Sequence, residues 1–345
     1  MAITPQEVLL SCIEHQEIKH DDMMHTMRSI MSGELSPMLT AAILTGLRTK
    51  KETIGEITAA AMVMREFATK VSVADNSHFV DIVGTGGDGA HTINISTTAA
   101  IIAAAAGVKV VKHGNRAASS KSGAADVLEA LNINLDLSPS ACEKALSEIG
   151  FCFLMAPHHH GSLKPLAALR KELGFRAIFN LLGPLANPAD TKLQLLGVFD
   201  RSFVRPMAES LLSLGSRHAL VVHGSDGMDE ITLAGETYYA HLEDGKINEG
   251  VLKPTDFGLD LITAEDIRGG DASYNATALV GLLEGEDTAY RSIVLANASA
   301  ALLVSGKSAE IHSGVKLAAD AIDDGKALRL FEAYRSFTKE HGGHA

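Results

Sequence analysis

At Phe79 the hydrophobic period of the chain changes, and that change limits the folds open to it. Beyond this point short apolar runs alternate with longer stretches of helical spacing. Such alternation builds a mostly parallel sheet flanked by helices. Strands are predicted at 79–83, 108–111, 151–155, 193–198 and 219–222, with helices at 97–106, 124–131, 139–149, 163–173 and 201–214. Residues 237–242 and 246–252 read as a hairpin turning at Asp244 and Gly245, and long helices follow from Asp271.

Before Phe79 every signal is helical. Thr4 and Glu7 have capping-box spacing with Pro5 at the first helical position, followed by Val8, Leu9 and Ile13 as an apolar face. Ser36 and Pro37 open a second helix through Met38, Leu39, Ala42 and Ile43. Thr53 and Glu56 cap another, which carries Ile57, Ala60, Ala61 and Met64. The expected organisation is therefore a helical domain over 1–72 and an α/β domain over 73–345, with the segment around 163–185 packing against the helical part. The N-terminal helices are expected to leave a face for a second copy of the chain, giving a homodimer.

Charge and cysteine usage exclude several classes. Lys and Arg number 30 against 42 Asp and Glu, so the formal charge is 30 − 42 = −12, which argues against a duplex-binding surface. Cys12, Cys142 and Cys152 have neither disulfide-framework nor metal-ligand spacing and read as buried thiols in a reducing compartment. The opening residues lack a basic-then-apolar leader, and the longest apolar run, 97–107, spans about half a bilayer. A cytoplasmic protein that binds neither membrane nor nucleic acid is expected.

The stretch DIVGTGGDGAHTINIST, from Asp81 to Thr97, leaves a strand, passes Gly84, Gly86, Gly87 and Gly89, and opens a helix. Glycines there can take positive φ and let backbone amides approach an anion. Asn94, Ser96 and Thr97 would present hydroxyls and unpaired amides at the positive end of the helix. The stretch lacks the Lys-Ser/Thr ending of a P-loop, and its glycine spacing does not fit the dinucleotide fingerprint. A second polar loop, KHGNRAASSKSGAAD from Lys112 to Asp126, adds Lys112, Arg116 and Lys121 with Ser119, Ser120 and Ser122. Two anion loops at the carboxyl ends of strands form one crevice, and the joint position of these cations beside small residues argues for a substrate with several phosphate groups. A third, VVHGSDGMDEIT from Val221 to Thr232, ends a strand with the adjacent acids Asp229 and Glu230. Beside a diphosphate, such a pair suits magnesium, which binds through a few carboxylates plus substrate oxygens.

In this order, GTGGDG, NIST, KHGNR and HGSDGMDE, together with LRKELGFRAIFNLLGPLANP at 169–188, resemble the anthranilate phosphoribosyltransferases over nearly the whole chain. The resemblance implies the fold of class III phosphoribosyltransferases and nucleoside phosphorylases, and transfer of 5-phosphoribosyl from phosphoribosyl diphosphate to anthranilate, the second step of tryptophan biosynthesis. It also implies two Mg2+ per monomer, a homodimer and an association with anthranilate synthase. Carried onto matching positions, the donor would meet Gly84, Gly87, Asp88, Thr92, Asn94, Ile95, Ser96 and Thr97. Lys112, His113, Gly114, Asn115, Arg116, Ala117, Ala118, Ser119, Ser120 and Ala124 would close over its phosphates. Ser96 and Glu230 would hold one metal ion, Asp229 with Glu230 a second, and Gly84, Asn115 and Arg170 would receive anthranilate. A guanidinium at Arg170 offers the planar fork that matches a benzoate carboxylate. No acid or base is assigned; the released proton can go to water or to the leaving group, and His113 is a weak candidate for taking it.

The chain departs from the family pattern at three places: Ala124 stands where serine is usual, Ala177 where threonine is frequent, and Gly161-Ser162 replace a common Pro-Ala pair. Two other readings keep the same fold. A pyrimidine-nucleoside phosphorylase would need a phosphate acceptor, against which Asn115 and Arg170 speak. A non-catalytic nucleic-acid-binding relative is disfavoured by the net charge and the intact acid pair.

Overall fold

The computed structural model describes residues 3–73, 75–117 and 121–343. Its first part is four helices, α1 (Pro5–Ile13), α2 (His20–Met31), α3 (Pro37–Lys50) and α4 (Ile54–Glu66). Both capping boxes form, at Thr4 with Glu7 and at Thr53 with Glu56, and Ser36 caps α3 as its sequence predicts. Glu56 does more than cap. It is fully buried, and its carboxylate accepts the Ile18 amide at 2.8 Å and the Lys50 ammonium at 2.7 Å, so one side chain ties α4 to the approach of α2. The apolar faces meet in a core of Val8, Met23, Met27, Ile43, Leu44, Leu47 and Ile57. Ile13, expected in that face, is 73% exposed, because α1 ends there and its last turn runs out from the bundle.

The second part is built on one seven-stranded sheet. In chain order its strands are β1 (Phe79–Gly84), β2 (Lys109–Gly114), β3 (Phe151–Met155), β4 (Leu193–Gly197), β5 (His218–Gly224), β6 (Thr237–Glu243) and β7 (Lys246–Leu252). They lie in the order β3-β2-β1-β4-β5-β6-β7; the first five run parallel, and the β6-β7 hairpin adds an antiparallel edge. Between the parallel strands stand α5 (Ile95–Ala105), α6 (Ala124–Ala130), α7 (Pro139–Glu148), α8 (Ala156–His159), α9 (Leu166–Leu173), α10 (Phe179–Leu185) and α11 (Val204–Ser213). The chain closes with α12 (Ala272–Leu283), α13 (Ala289–Val304), α14 (Ile311–Asp323) and α15 (Lys326–His341).

Alternation along the strands feeds two cores. Ile82, Leu195, Leu220 and Val222 pack with α5, α13, α14 and α15 on one face. Ala219, Val221, Ala240 and Leu242 pack on the other face with α11, α10 and the N-terminal helices. Arg65 of α4 reinforces that contact by donating to the Leu185 carbonyl at 2.6 Å and pairing with Asp190 at 2.9 Å. Among the described residues, no helix is long and apolar enough to cross a membrane. All three cysteines are buried and free.

Two boundaries differ from expectation in ways that affect the site. β2 runs to Gly114 rather than stopping at Val111, so Lys112 and His113 are strand residues held in register with Phe153 and Leu154 of β3. The helix expected from residue 163 starts at Leu166, after a separate turn at Gly161–Leu163, because Pro165 lacks an amide and is accommodated where a helix begins.

Candidate active-site crevice

The chain winds outward from β1 through β2 to β3, then returns to place β4 on the other side of β1. That reversal opens a crevice at the carboxyl ends of the strands, where ligands bind in open α/β sheets. The glycine turn after β1, the end of β2 and the loop after β5 all reach it. The last of these has to cross the end of β4. It does so over Gly197, where a Cβ would lie 1.6 Å from the Asp229 carbonyl oxygen.

Direct bonds then join the three elements. The Gly86 amide donates to Asp229 Oδ2 at 2.6 Å, and the Ser96 amide, in the first turn of α5, donates to Glu230 Oε1 at 3.2 Å. The Glu230 carboxylate thus sits at the positive end of α5. Lys112 is buried; its ammonium donates to Ser96 Oγ at 3.1 Å and to the Ile82 carbonyl. It also feels the charges of Asp81, Glu230 and Asp229, so one cation is set among three acids.

The glycines of the turn divide by role. Gly86, Gly87 and Gly89 take positive φ, whereas Gly84, expected to share that conformation, does not. Gly84 is needed for closeness: a Cβ there would fall 2.2 Å from Asp229 Oδ2. Asp88 accepts from the Ala90 amide at 3.1 Å and lies against Asp229, whose amide points to it at 3.4 Å. Asp229 and Glu230 are both held above the usual carboxylate range, by removal from water and by neighbouring acids, which for Glu230 means Asp229 itself. Ser96, Asp229 and Glu230 present only oxygen donors, and their crowded negative charge is the kind a hard cation relieves.

The remaining expected donor contacts are distributed around this centre. Ile95 and Thr97 are buried in the first turn of α5, and the Thr97 hydroxyl has no hydrogen-bond partner among the described residues. Asn94 is clamped from behind: its Oδ1 accepts from Asn275 at 2.9 Å and its carbonyl from the Tyr290 hydroxyl at 3.0 Å. Thr92 bridges to Arg268, and a Cβ on Gly269 would strike the Thr92 carbonyl at 2.4 Å. A small cleft lined by Thr92, Lys121, Ser122 and Gly270 lies there. The segment 268–275 and Tyr290 carry no motif, and only their fit to the turn identifies them.

Past Gly114 the second loop is braced by Asp126, which accepts the amides of Ala117 at 2.9 Å and Gly123 at 2.8 Å. Ala124 is the first residue of α6 and lies beside Gly114. Asn115 is exposed, with its side chain accepting the Arg116 amide at 2.8 Å. The Arg116 guanidinium is paired with Asp126 and Glu129. Ala118, Ser119 and Ser120 lie outside the described residues.

His113 is buried with Nδ1 3.2 Å from the Gly183 carbonyl, and its ring lies 5.2 Å from that of His160, also buried. Burial and the neighbouring imidazoles push His113 well below the usual imidazole range. Arg170, on α9, lies over the Phe179 ring at 5.5 Å and has no hydrogen bond or ion pair among the described residues. Among the described residues, no hydrogen bond joins it to either phosphate loop. Arg176 is the residue of this segment that reaches the glycine turn: it stacks on Phe199 at 4.3 Å, and a Cβ on Gly87 would touch its guanidinium at 3.0 Å.

Comparison with known proteins agrees with this architecture part by part. The helical bundle domain of the glycosyl transferase family matches residues 6–68, and that family's a/b domain matches residues 76–328. The anthranilate phosphoribosyltransferase of Burkholderia ambifaria is 52% identical over 340 residues, covering 99% of both chains. The crystal structure of the enzyme of that name from Thermus thermophilus superposes with a TM-score of 0.91 at 40% identity, over 96% of this chain and 99% of the other. The Saccharomyces cerevisiae enzyme in complex with PRPP and Mg gives 0.84 at 28% identity, over 93% of this chain and 92% of the other. The chain is a member of the glycosyl transferase family and, within it, of the anthranilate phosphoribosyltransferases.

Proposed function

We propose that the crevice over β1, β2 and β5 transfers the 5-phosphoribosyl group of phosphoribosyl diphosphate to the amine of anthranilate, giving N-(5-phosphoribosyl)anthranilate and diphosphate in tryptophan biosynthesis. The observation that carries this reading is the bonded circuit Gly86 to Asp229, Ser96 to Glu230 and Lys112 to Ser96, which joins all three phosphate and metal elements at one point.

In this reading the turn at Gly84, Gly87 and Asp88 and the start of α5 at Thr92, Asn94, Ile95, Ser96 and Thr97 hold the donor. The amides and the positive end of α5 face its phosphates. Lys112 and the loop from His113 to Ser120, with Ala124, close the other side. Arg116 would exchange Asp126 and Glu129 for a phosphate, the stronger bidentate partner. Ser96, Asp229 and Glu230 would hold magnesium, two ions per monomer, and a bound ion would polarise the diphosphate oxygens as a Lewis acid.

The reaction breaks the bond from the anomeric carbon to diphosphate and joins that carbon to nitrogen. Negative charge grows on the leaving group, where Lys112 and the loop amides would supply oriented positive potential. The aryl amine is uncharged at neutral pH, so no base is needed before attack. The proton released afterwards would go to water or to the departing diphosphate, with His113, whose burial lowers its proton affinity, as a weaker acceptor. Arg170 supports the acceptor half: a partly buried guanidinium without a counter-ion is suited to an incoming carboxylate. Anthranilate would lie between it, Asn115 and Gly84.

The helical part over 1–72 and the α/β part over 73–345 would hinge together to exclude water. The exposed Met38, Leu10 and Ile13 of α1 and α3 support a homodimer through these helices. A cytoplasmic location and association with anthranilate synthase complete the proposal.

The purified chain mixed with phosphoribosyl diphosphate, magnesium and anthranilate should consume anthranilate, seen as loss of its fluorescence. Consumption of a pyrimidine nucleoside with phosphate, and none of anthranilate, would favour the phosphorylase reading instead.

A further inference from the structure

At the far end of β5 from the crevice, two imidazoles and a carboxylate meet. β5 and β6 pair antiparallel with His218 opposite Glu243 and Leu220 opposite His241, so the side chains of 218, 241 and 243 share one face of the sheet. His218 Nε2 and His241 Nε2 are 2.7 Å apart, with ring centroids 4.9 Å apart. One ligand atom from each of His218, His241 and Glu243 lies within 4.8 Å of the others. The two rings are partly buried and Glu243 is exposed, which leaves an approach from solvent. Six residues of strand, about 20 Å, separate His218 from the crevice end of β5.

A shared proton satisfies the two facing nitrogens in the metal-free chain, one ring donating and the other accepting. Burial lowers the proton affinity of both rings, and His241 lowers that of His218 further, so both are neutral at neutral pH, the state a metal requires.

We propose that His218, His241 and Glu243 form a binding site for a divalent transition-metal ion of the zinc class, distinct from the oxygen-lined site of Asp229 and Glu230. Two imidazoles and one carboxylate with a fourth position open to water is a donor set suited to zinc and unsuited to magnesium. Metal-nitrogen bonds of about 2.0–2.1 Å in a tetrahedron place the two nitrogens roughly 3.3 Å apart. The rings therefore need to part by roughly 0.6 Å, within reach of small side-chain rotations. The ion would link β5 to β6 where the sheet turns from parallel to antiparallel, and would stabilise the folded chain by mass action.

Equilibrium dialysis against zinc, with magnesium saturating so that the Asp229 and Glu230 site is occupied, tests this in the whole protein. The wild type should hold one zinc ion more per chain than His218→Gln/His241→Gln, and zinc should raise the melting temperature of the wild type alone. Glu243→Gln should weaken zinc binding by at least about tenfold, the loss seen even for an outer partner of a ligand. It should leave magnesium-supported turnover unchanged. Equal zinc stoichiometry and affinity in wild type and variants would overturn the proposal. Glu243 is exposed, so its variant carries the test even if the double histidine variant fails to fold.

Discussion

The main chain of Asp229 passes directly over Gly197, leaving no room for a Cβ, which would sit 1.6 Å from the Asp229 carbonyl oxygen. This crossing lets a loop from β5 reach the turn after β1 although β4 lies between them. Gly197→Ala should therefore push the acid pair out of place. The expected outcome is a fall in turnover of about a hundredfold or more, the scale of losing one oriented catalytic group, with far-ultraviolet circular dichroism unchanged.

Arg170 has no counter-ion among the described residues, and a charge-assisted bond of about 1.5–3 kcal/mol corresponds to roughly 10- to 150-fold in affinity. Arg170→Ala should raise KM for anthranilate by that order and leave KM for phosphoribosyl diphosphate within about twofold. Steady-state kinetics with each substrate varied in turn checks this. Equal effects on both would remove the acceptor role.

The Glu56 and Lys50 side chains form an ion pair with 0% and 3% exposure. Removing one partner of such a pair leaves a buried charge and costs about 3–5 kcal/mol. Glu56→Ala also strips the caps from Ile18 and Thr53. Denaturant unfolding should show a loss of that size at least, largest for a probe in the N-terminal helices.

His160 is pushed down to about 4 from 6.5, chiefly by burial and then by His159. Because the unfolded chain takes up that proton first, the folded state is favoured above pH 6.5 and loses stability as pH falls toward 4. The slope contributed by one such group is about 1.4 kcal/mol per pH unit. His160→Gln should flatten the acid limb of a plot of melting temperature against pH; an unchanged limb would place the acid sensitivity elsewhere.

Much of this architecture was legible in the residues because its signals are local. The capping boxes at Thr4 and Thr53, the strand-glycine-helix stretch from Asp81 to Thr97 and the Asp229-Glu230 pair each announce themselves within a few positions. α2 was not legible as a separate element: its N-cap is Lys19, which supplies no side-chain hydrogen bond, and the acids Asp21 and Asp22 in its first turn are a weak start signal by themselves. Asn275 and Tyr290 act on Asn94 from about two hundred residues away, at a separation that no short-range pattern reports. The pairing of Arg116 with Asp126 and Glu129 was equally hidden, since it depends on where α6 is placed.

Convergence of the three loops on one magnesium-bound donor is tested most directly by the magnesium dependence of anthranilate consumption in Asp229→Asn/Glu230→Gln. Both substitutions keep the side-chain size and remove the negative charge that faces Lys112. Magnesium should drive saturable turnover in the wild type and less than about one hundredth of it in the variant, with circular dichroism unchanged. Undiminished magnesium-dependent turnover in the variant would contradict the account.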